Sequence, residues 1–324
     1  MSTYGWRVDR SSNRHKRRNR YTPTMRAISL PAPGHEPLAD RLANLLAVEK
    51  GTIEARRFPD GETYLRIACD VKNAHVVVCA SLAAPDGQLA SLIFLAQTAR
   101  ELGALSVGLV APYLAYMRQD IRFKPGEAVS ARIFAGLLSD TFDWLLTVDP
   151  HLHRIAALAD VFRIPATRVP AAPFIASWIR TNIPSPVIIG PDVESEQWVR
   201  EISSLADAPC LVLEKRRLGD HEVVVQGTLP DLSGKTPVLV DDIISSGQTM
   251  ANTVRLLLAA GASPPVCVAV HALFAPGATD ALRMAGAARV VTCNTVQHAT
   301  NAIDVLPGIA AELSPILKGI TTTY

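Results

Sequence analysis

Residues 238–249 read VLVDDIISSGQT, and the fold turns on how this stretch is parsed. An apolar run ends in two carboxylates, Asp241 and Asp242, and a turn of Ser245, Ser246 and Gly247 follows. From Gln248 onward Met250, Val254, Leu257 and Leu258 fall on one helical face, until Gly261 ends the pattern. Strand, turn and helix in direct succession form the unit of a parallel α/β sheet. A turn that feeds a helix N-terminus aims backbone N–H groups at an anion, and the helix dipole adds to the attraction. Gly247 lets backbone approach closely, while Ser245, Ser246 and Thr249 supply hydroxyls around Gln248. Asp241 and Asp242, at the carboxyl end of the strand, suit the vicinal hydroxyls of a ribose. The stretch therefore reads as a sugar-phosphate site, against the plainer alternative of a capped turn bearing two surface acids.

Outward from this motif, short β-branched runs alternate with helix-period segments. Strands are expected at 75–80, 106–111 and 144–148, and again at 187–189, 211–213, 237–240, 266–270 and 289–292. Helical spacing covers 88–102, closed by Gly103, and 128–138. Three strand pairs sit at comparable offsets, Val76 with Val187, Val107 with Leu211 and Leu145 with Val238, which points to two copies of one α/β unit. Prolines 165, 170 and 173 interrupt the pattern between them. The expected division is a basic extension over 1–24, one domain over 25–166 and a second over 167–324.

The 324 residues suit two domains, and 48% hydrophobic with 19% charged residues is a globular balance. No apolar run approaches the ~20 residues a bilayer span needs, so no membrane association is expected. Five scattered cysteines without a C-x-x-C pair fit buried thiols in a reducing, cytoplasmic setting. The net charge of +2 is uneven: seven basic residues and one acid among residues 1–20 give +6 there, which leaves −4 for the rest. That basic segment lacks hydrophobic periodicity and reads as a solvated extension rather than a nucleic-acid-binding element.

Four more segments, and a cationic run, carry chemistry. RRFPDGETYLRI (56–67) is a hairpin with an aromatic among acceptors. APYLAYMRQDIRFKPGEAVSA (111–131) sets a guanidinium at a strand end, where it suits phosphate oxygens or simply water. TVDPHLH (147–153) places two histidines and an aspartate at a strand terminus, and IIGPDVESEQWVREI (188–202) puts Asp192 at another. LEKRRLGDHEVVV (213–225) carries three consecutive cations before a Gly-Asp turn.

Together and in this order, these segments resemble the ribose-phosphate pyrophosphokinases, with the KPGE sequence closer to the archaeal-type branch. The resemblance implies an α/β chain of two tandem type I phosphoribosyltransferase-like domains, each a mostly parallel sheet flanked by helices. It implies that ATP is held by Phe58, Asp60 and Glu62, across a subunit interface of a homo-oligomer, and by Arg118, Gln119 and Asp120. It implies Mg2+ near His151 and Asp192, a catalytic clamp of Lys215 and Arg217, and ribose 5-phosphate on Asp241, Asp242 and residues Ser245, Ser246, Gly247, Gln248 and Thr249. Histidine is an unusual magnesium ligand, because that ion favours oxygen. Two departures stand out: VESEQW replaces a Gly-rich continuation after Asp192, and Ser-Ser-Gly-Gln-Thr replaces Asp-Thr-Gly-Gly-Thr. The implied reaction is attack of the ribose 1-hydroxyl on the β-phosphorus of ATP. The alternatives are a phosphoribosyltransferase, which leaves FPDGE and RQD unexplained, and a non-catalytic regulatory relative.

Overall fold

The computed structural model describes residues 26–152, 154–217, 223–226 and 231–320, and the side chains of 214–217, 223–226 and 320 are outside the description. In the first half the chain runs β1 (Ala27–Pro31), α1 (Glu36–Leu46), β2 (Glu49–Lys50), β3 (Ile53–Arg57) and β4 (Thr63–Ile67). It continues with β5 (His75–Cys79), α2 (Leu89–Glu101), β6 (Ser106–Ala111), α3 (Ser130–Thr141), β7 (Leu145–Val148) and β8 (Ala166–Val169). The second half adds α4 (Ala172–Asn182), β9 (Pro186–Gly190), α5 (Glu196–Ala206), β10 (Cys210–Val212), β11 (Glu214–Arg217) and β12 (Val223–Gln226). After these come β13 (Thr236–Ile244), α6 (Gln248–Ala259), β14 (Val266–Ala272), α7 (Ala278–Ala285), β15 (Arg289–Cys293), β16 (Asn301–Ile303) and α8 (Leu306–Ile320).

Two six-stranded sheets result, ordered β2-β1-β5-β6-β7-β8 and β10-β9-β13-β14-β15-β16, and every pairing in them is parallel. Helices cover both faces, so strands such as β5, β6 and β14 are buried along their whole length. This is the expected α/β architecture in duplicate. Each sheet also carries an antiparallel hairpin at the same insertion point, β3–β4 in the first and β11–β12 in the second.

The duplication has a different register from the one the spacing implies. Strand partners place Ile28, Val76, Val107 and Leu145 of the first sheet where Ile188, Val238, Val266 and Val291 stand in the second. Val76 therefore matches Val238, not Val187. The cause is β1, whose AISLP sequence abuts the basic segment and ends in proline, so it carries little strand signal of its own. Without it and the two-residue β2, every later strand is counted two places off in chain order.

The halves are also interlocked. α4 packs on α5 and β16 of the second sheet, whereas α8, its topological counterpart, packs on α1, β7 and β8 of the first. One buried cluster accordingly contains Leu42, Val77 and Leu146 together with Ile188, Val240 and Ile309. β8 runs through the division expected at 166/167 and belongs to the first sheet. No helix among the described residues is long and apolar enough to cross a membrane.

Candidate active site

In the second sheet the direction of strand addition reverses between β9 and β13, because β10 lies outside β9 and β14 beyond β13. Loops leaving two such strands diverge to opposite faces, which opens a crevice at their carboxyl ends. A cleft of ≈ 240 Å³ occupies this place, with Asp192 from the end of β9, Asp241 and Asp242 from β13, and residues 245–249 around it. β13 is longer than the expected 237–240: Asp241, Ile243 and Ile244 pair with Ala269, His271 and Ala272 of β14. Both aspartates thus stand on a hydrogen-bonded strand rather than in a loop, and their separation is fixed by the pleat.

The turn after β13 is held at both ends. Ala275 N–H donates to the Ser245 carbonyl at 3.0 Å, and Ala251 N–H to the Gly247 carbonyl at 2.8 Å. Gly247 has φ +71°, and a Cβ there would lie 3.2 Å from the Ala278 carbonyl oxygen. Ser245, Ser246, Gln248 and Thr249 all line the cleft, over the N-terminal turn of α6, where backbone N–H groups lack helical acceptors. Gly247→Ala should therefore cost about 1–2 kcal/mol, seen as a lower Tm, and should weaken stabilisation of the fold by phosphate-bearing ligands.

The first half contributes two side chains across the domain junction. His151 Nδ1 lies 2.5 Å from Asp242 Oδ2, and Arg118 lines the same cleft. His151 is presented by the chain that leaves β7, where Asp149 adopts φ +32°. The Asp149 carboxylate is wholly buried: it accepts from Arg168 Nε at 2.6 Å and from Ala171 N–H, at the start of α4, at 2.7 Å. Behind the cleft the buried His271 ring contacts the Asp149 carbonyl at 3.1 Å and Thr295 Oγ1 at 2.9 Å, and burial lowers its pKa to about 4.

The carboxylates make the cleft electrostatically uneasy. Burial pushes Asp241 well above the ordinary carboxylate range, and its neighbours Asp242 and Asp192 push it further. Glu194 and Trp198, which belong to the VESEQW stretch that departs from the family pattern near the expected metal, also line the cleft, as does Ser195. Glu194 and Trp198 stand two and six positions after Asp192, on the turn and α5 that follow β9, and that helical phase was the sequence signal for them. Gly190 allows this turn to fold back, since a Cβ there would come within 2.3 Å of Ser195 Oγ.

Other expected residues lie elsewhere. Asp120 is buried in an ion pair with Arg154 at 3.2 Å, and Gln119 donates to Glu127 and the Ile121 carbonyl within its own loop. Phe58, Asp60 and Glu62 occupy the exposed β3–β4 hairpin, away from the cleft. Phe58 makes an edge contact with Tyr64 at 6.2 Å, and the Arg56 guanidinium lies 4.6 Å from its ring. Asp60 accepts the Glu62 N–H at 3.1 Å and closes the turn at Gly61. Lys215 and Arg217 are on β11, with side chains outside the described residues.

Among the described residues no three His, Cys, Asp or Glu side chains converge as a metal cage. A hard divalent ion needs none: magnesium commonly takes one or two carboxylates and completes its shell with water and phosphate oxygens. The donor set fits that arrangement, because the Asp192–Asp241 repulsion is of the kind a cation relieves. His151, with Nδ1 on Asp242, offers such an ion at most Nε2.

Comparison with known proteins gives a consistent result. Residues 30–141 match the family model of the N-terminal domain of ribose phosphate pyrophosphokinase, and residues 165–307 match the phosphoribosyl transferase domain. The chain is 36% identical over 276 residues to a ribose-phosphate pyrophosphokinase of Methanothermobacter thermautotrophicus, covering 85% of this chain and 95% of that one. It is 35% identical to the Sulfolobus acidocaldarius protein of the same name, covering 82% and 92%. Among solved structures, phosphoribosylpyrophosphate synthetase from Mycobacterium smegmatis superposes with a TM-score of 0.78 at 25% identity, over 91% of this chain and all of that one.

Proposed function

Since the chain belongs to the ribose-phosphate pyrophosphokinase family, we propose that the switch-point cleft transfers the pyrophosphoryl group of ATP to the 1-hydroxyl of ribose 5-phosphate. The observation that carries this assignment is the meeting, in one cleft, of a phosphate-cradling turn and Asp241 from the second half with His151 and Arg118 from the first. A phosphoribosyltransferase domain alone supplies only the former set.

Ser245, Ser246, Thr249 and the N–H groups of the α6 turn hold the 5-phosphate, and Gln248 borders it. Asp241 and Asp242 accept hydrogen bonds from the ribose hydroxyls. Asp242 is the hinge of the site, because its carboxylate also fixes the His151 ring at 2.5 Å. Arg118 faces the triphosphate oxygens as a fixed cation. The oxygen of the 1-hydroxyl bonds to the β-phosphorus, the bond from that phosphorus to the α,β-bridging oxygen breaks, and AMP leaves as the hydroxyl proton is lost to solvent. Asp192 and His151 would hold Mg2+, which would supply charge neutralisation at the phosphate oxygens. Lys215 and Arg217 are assigned the catalytic clamp on the family resemblance. The rest is positioning and charge, as in phosphoryl transfer generally.

Asp120 acts by holding Arg154 beside the site, and Gln119 by shaping the loop behind Arg118. Phe58, Asp60 and Glu62 are not among the residues that line this cleft within one chain. The exposed hairpin instead fits the ATP site of a second copy in a homo-oligomer. A cytoplasmic setting suits both the substrates and the buried thiols Cys79, Cys267 and Cys293.

Phosphorus NMR of the purified protein with MgATP and ribose 5-phosphate tests the reaction. Equimolar AMP and phosphoribosyl pyrophosphate are expected, and absence of AMP across several divalent metals, with phosphate added, would refute it. Lys215→Ala should lower kcat by roughly 10²–10³-fold with little change in KM. A variant as active as the parent removes Lys215 from the clamp.

A further inference from the structure

Trp198 borders three separate spaces. One is the cleft itself. The second is a groove of ≈ 370 Å³ past Leu158 and Arg168, and the third a recess of ≈ 700 Å³ beside Arg154 and Arg200. Among the described residues it is the only one common to all three linings. The half-buried indole is the one side chain between the cleft and the groove among the described residues, and with Glu194 and Asp242 it separates the cleft from the recess, so its removal opens the cleft toward a space larger than itself.

The partition is braced from the opposite domain. The Arg168 guanidinium lies 5.6 Å from the indole centroid, within cation–π range. Arg168 in turn is fixed by the buried Asp149 carboxylate at 2.6 Å, two residues before His151. The face of α5 that closes the cleft is thus tied to the loop that delivers His151. None of this is needed to bind a phosphate or a pair of hydroxyls, which Ser245–Thr249 and the two aspartates already do.

We propose that Trp198 is a specificity-determining wall that limits the acceptor to pentose-phosphate size, with Arg168 as its positioning residue; this rests on the reaction assigned above. The chemistry leaves this task to shape. An aldohexose 6-phosphate carries the same handles as ribose 5-phosphate: a terminal phosphate, vicinal hydroxyls and an anomeric hydroxyl. Ring size and diol geometry give the polar contacts some discrimination, and a rigid indole against the sugar adds exclusion of the extra carbon and hydroxyl. A single added carbon against a filled apolar wall is typically worth roughly 10–200-fold in kcat/KM.

The experiment compares wild type, Trp198→Phe and Trp198→Ala, with ribose 5-phosphate and glucose 6-phosphate as acceptors. The ratio of the two kcat/KM values should fall at least about 10-fold in Trp198→Ala. Trp198→Phe, which keeps an aromatic plate, should lie between. A ratio within twofold of wild type in the folded Ala variant overturns the wall and leaves the reaction standing. If that variant fails to fold, Trp198→Leu serves for the same comparison. Calorimetric binding of the two sugar phosphates gives a second readout independent of turnover. Should wild type show no turnover, the reaction fails, and unchanged relative binding in the variants then defeats the wall separately.

Discussion

Asp241→Asn is expected to raise the melting temperature while removing most of the activity. Four carboxylates, Asp192, Glu194, Asp241 and Asp242, share one cleft, and Asp241 carries the strain as a pKa pushed well above the ordinary range by burial and by Asp242 and Asp192. A carboxyl whose folded pKa is raised destabilises the native state progressively as pH climbs from its unfolded value through its folded one. Below that window the penalty is absent; above it the penalty is complete. The asparagine variant has no such slope. It should be more stable than wild type at neutral pH by about 0.5–2 kcal/mol, and the difference should vanish toward about pH 4. Added Mg2+ should stabilise wild type more than the variant, because the variant has less charge to offset. Activity should fall roughly 10²-fold or more through loss of sugar positioning. Melting curves against pH, with and without the metal, decide the matter, and parallel curves for the two proteins would show that Asp241 is not the seat of the repulsion.

Arg168→Ala is expected to be the most destabilising single change near the site. Asp149 has no exposure to solvent, and burial already raises its pKa despite the adjacent guanidinium. Among the described residues, removing Arg168 leaves that carboxylate with the N–H of Ala171, just ahead of α4, as its donor. Breaking a fully buried pair typically costs about 3–5 kcal/mol; with Arg168 itself half-exposed a loss of about 2–4 kcal/mol is expected, or roughly 3–6 °C in Tm at about 2.1 cal/mol/K of unfolding entropy per residue. The sign with pH follows the same linkage as for Asp241. The folded pKa of Asp149 rises further in the variant, so the loss should be greatest at neutral pH and should shrink as acid protonates the carboxyl. Arg168→Lys, which keeps the charge without the planar fork, should recover part of it. A loss independent of pH would point to packing against Trp198 as the main role of Arg168.

Much of the fold was legible because parallel strands buried on both faces are continuous apolar runs. VVVC, VGLVA and VLV announce themselves, and Gly103 and Gly261 mark the helix ends. β1 was not legible, since its five residues lack a turn signal on one side, and the register of the duplication went with it. The cleft shows the same division. Asp192, Asp241, Asp242 and the turn over 245–249 stand at strand ends where periodicity alone locates them. His151 and Arg118 were placed there by resemblance, yet their meeting with Asp242 depends on contacts between the halves.

The run VLVDDIISSGQT by itself determined a strand, a turn and a helix, because local propensity and backbone geometry suffice for those. It also set two adjacent carboxylates, Asp241 and Asp242, just ahead of that turn. What only the tertiary structure decided is everything set by long-range packing. Asp241 and Asp242 lie within an extended β13 because β14 runs alongside it. Asp120 turns inward to Arg154, Asp149 becomes the buried anchor of Arg168, and Trp198 stands between three spaces. Each of these joins residues far apart in the chain, and no local pattern encodes which distant side chain a folded core will bring against another.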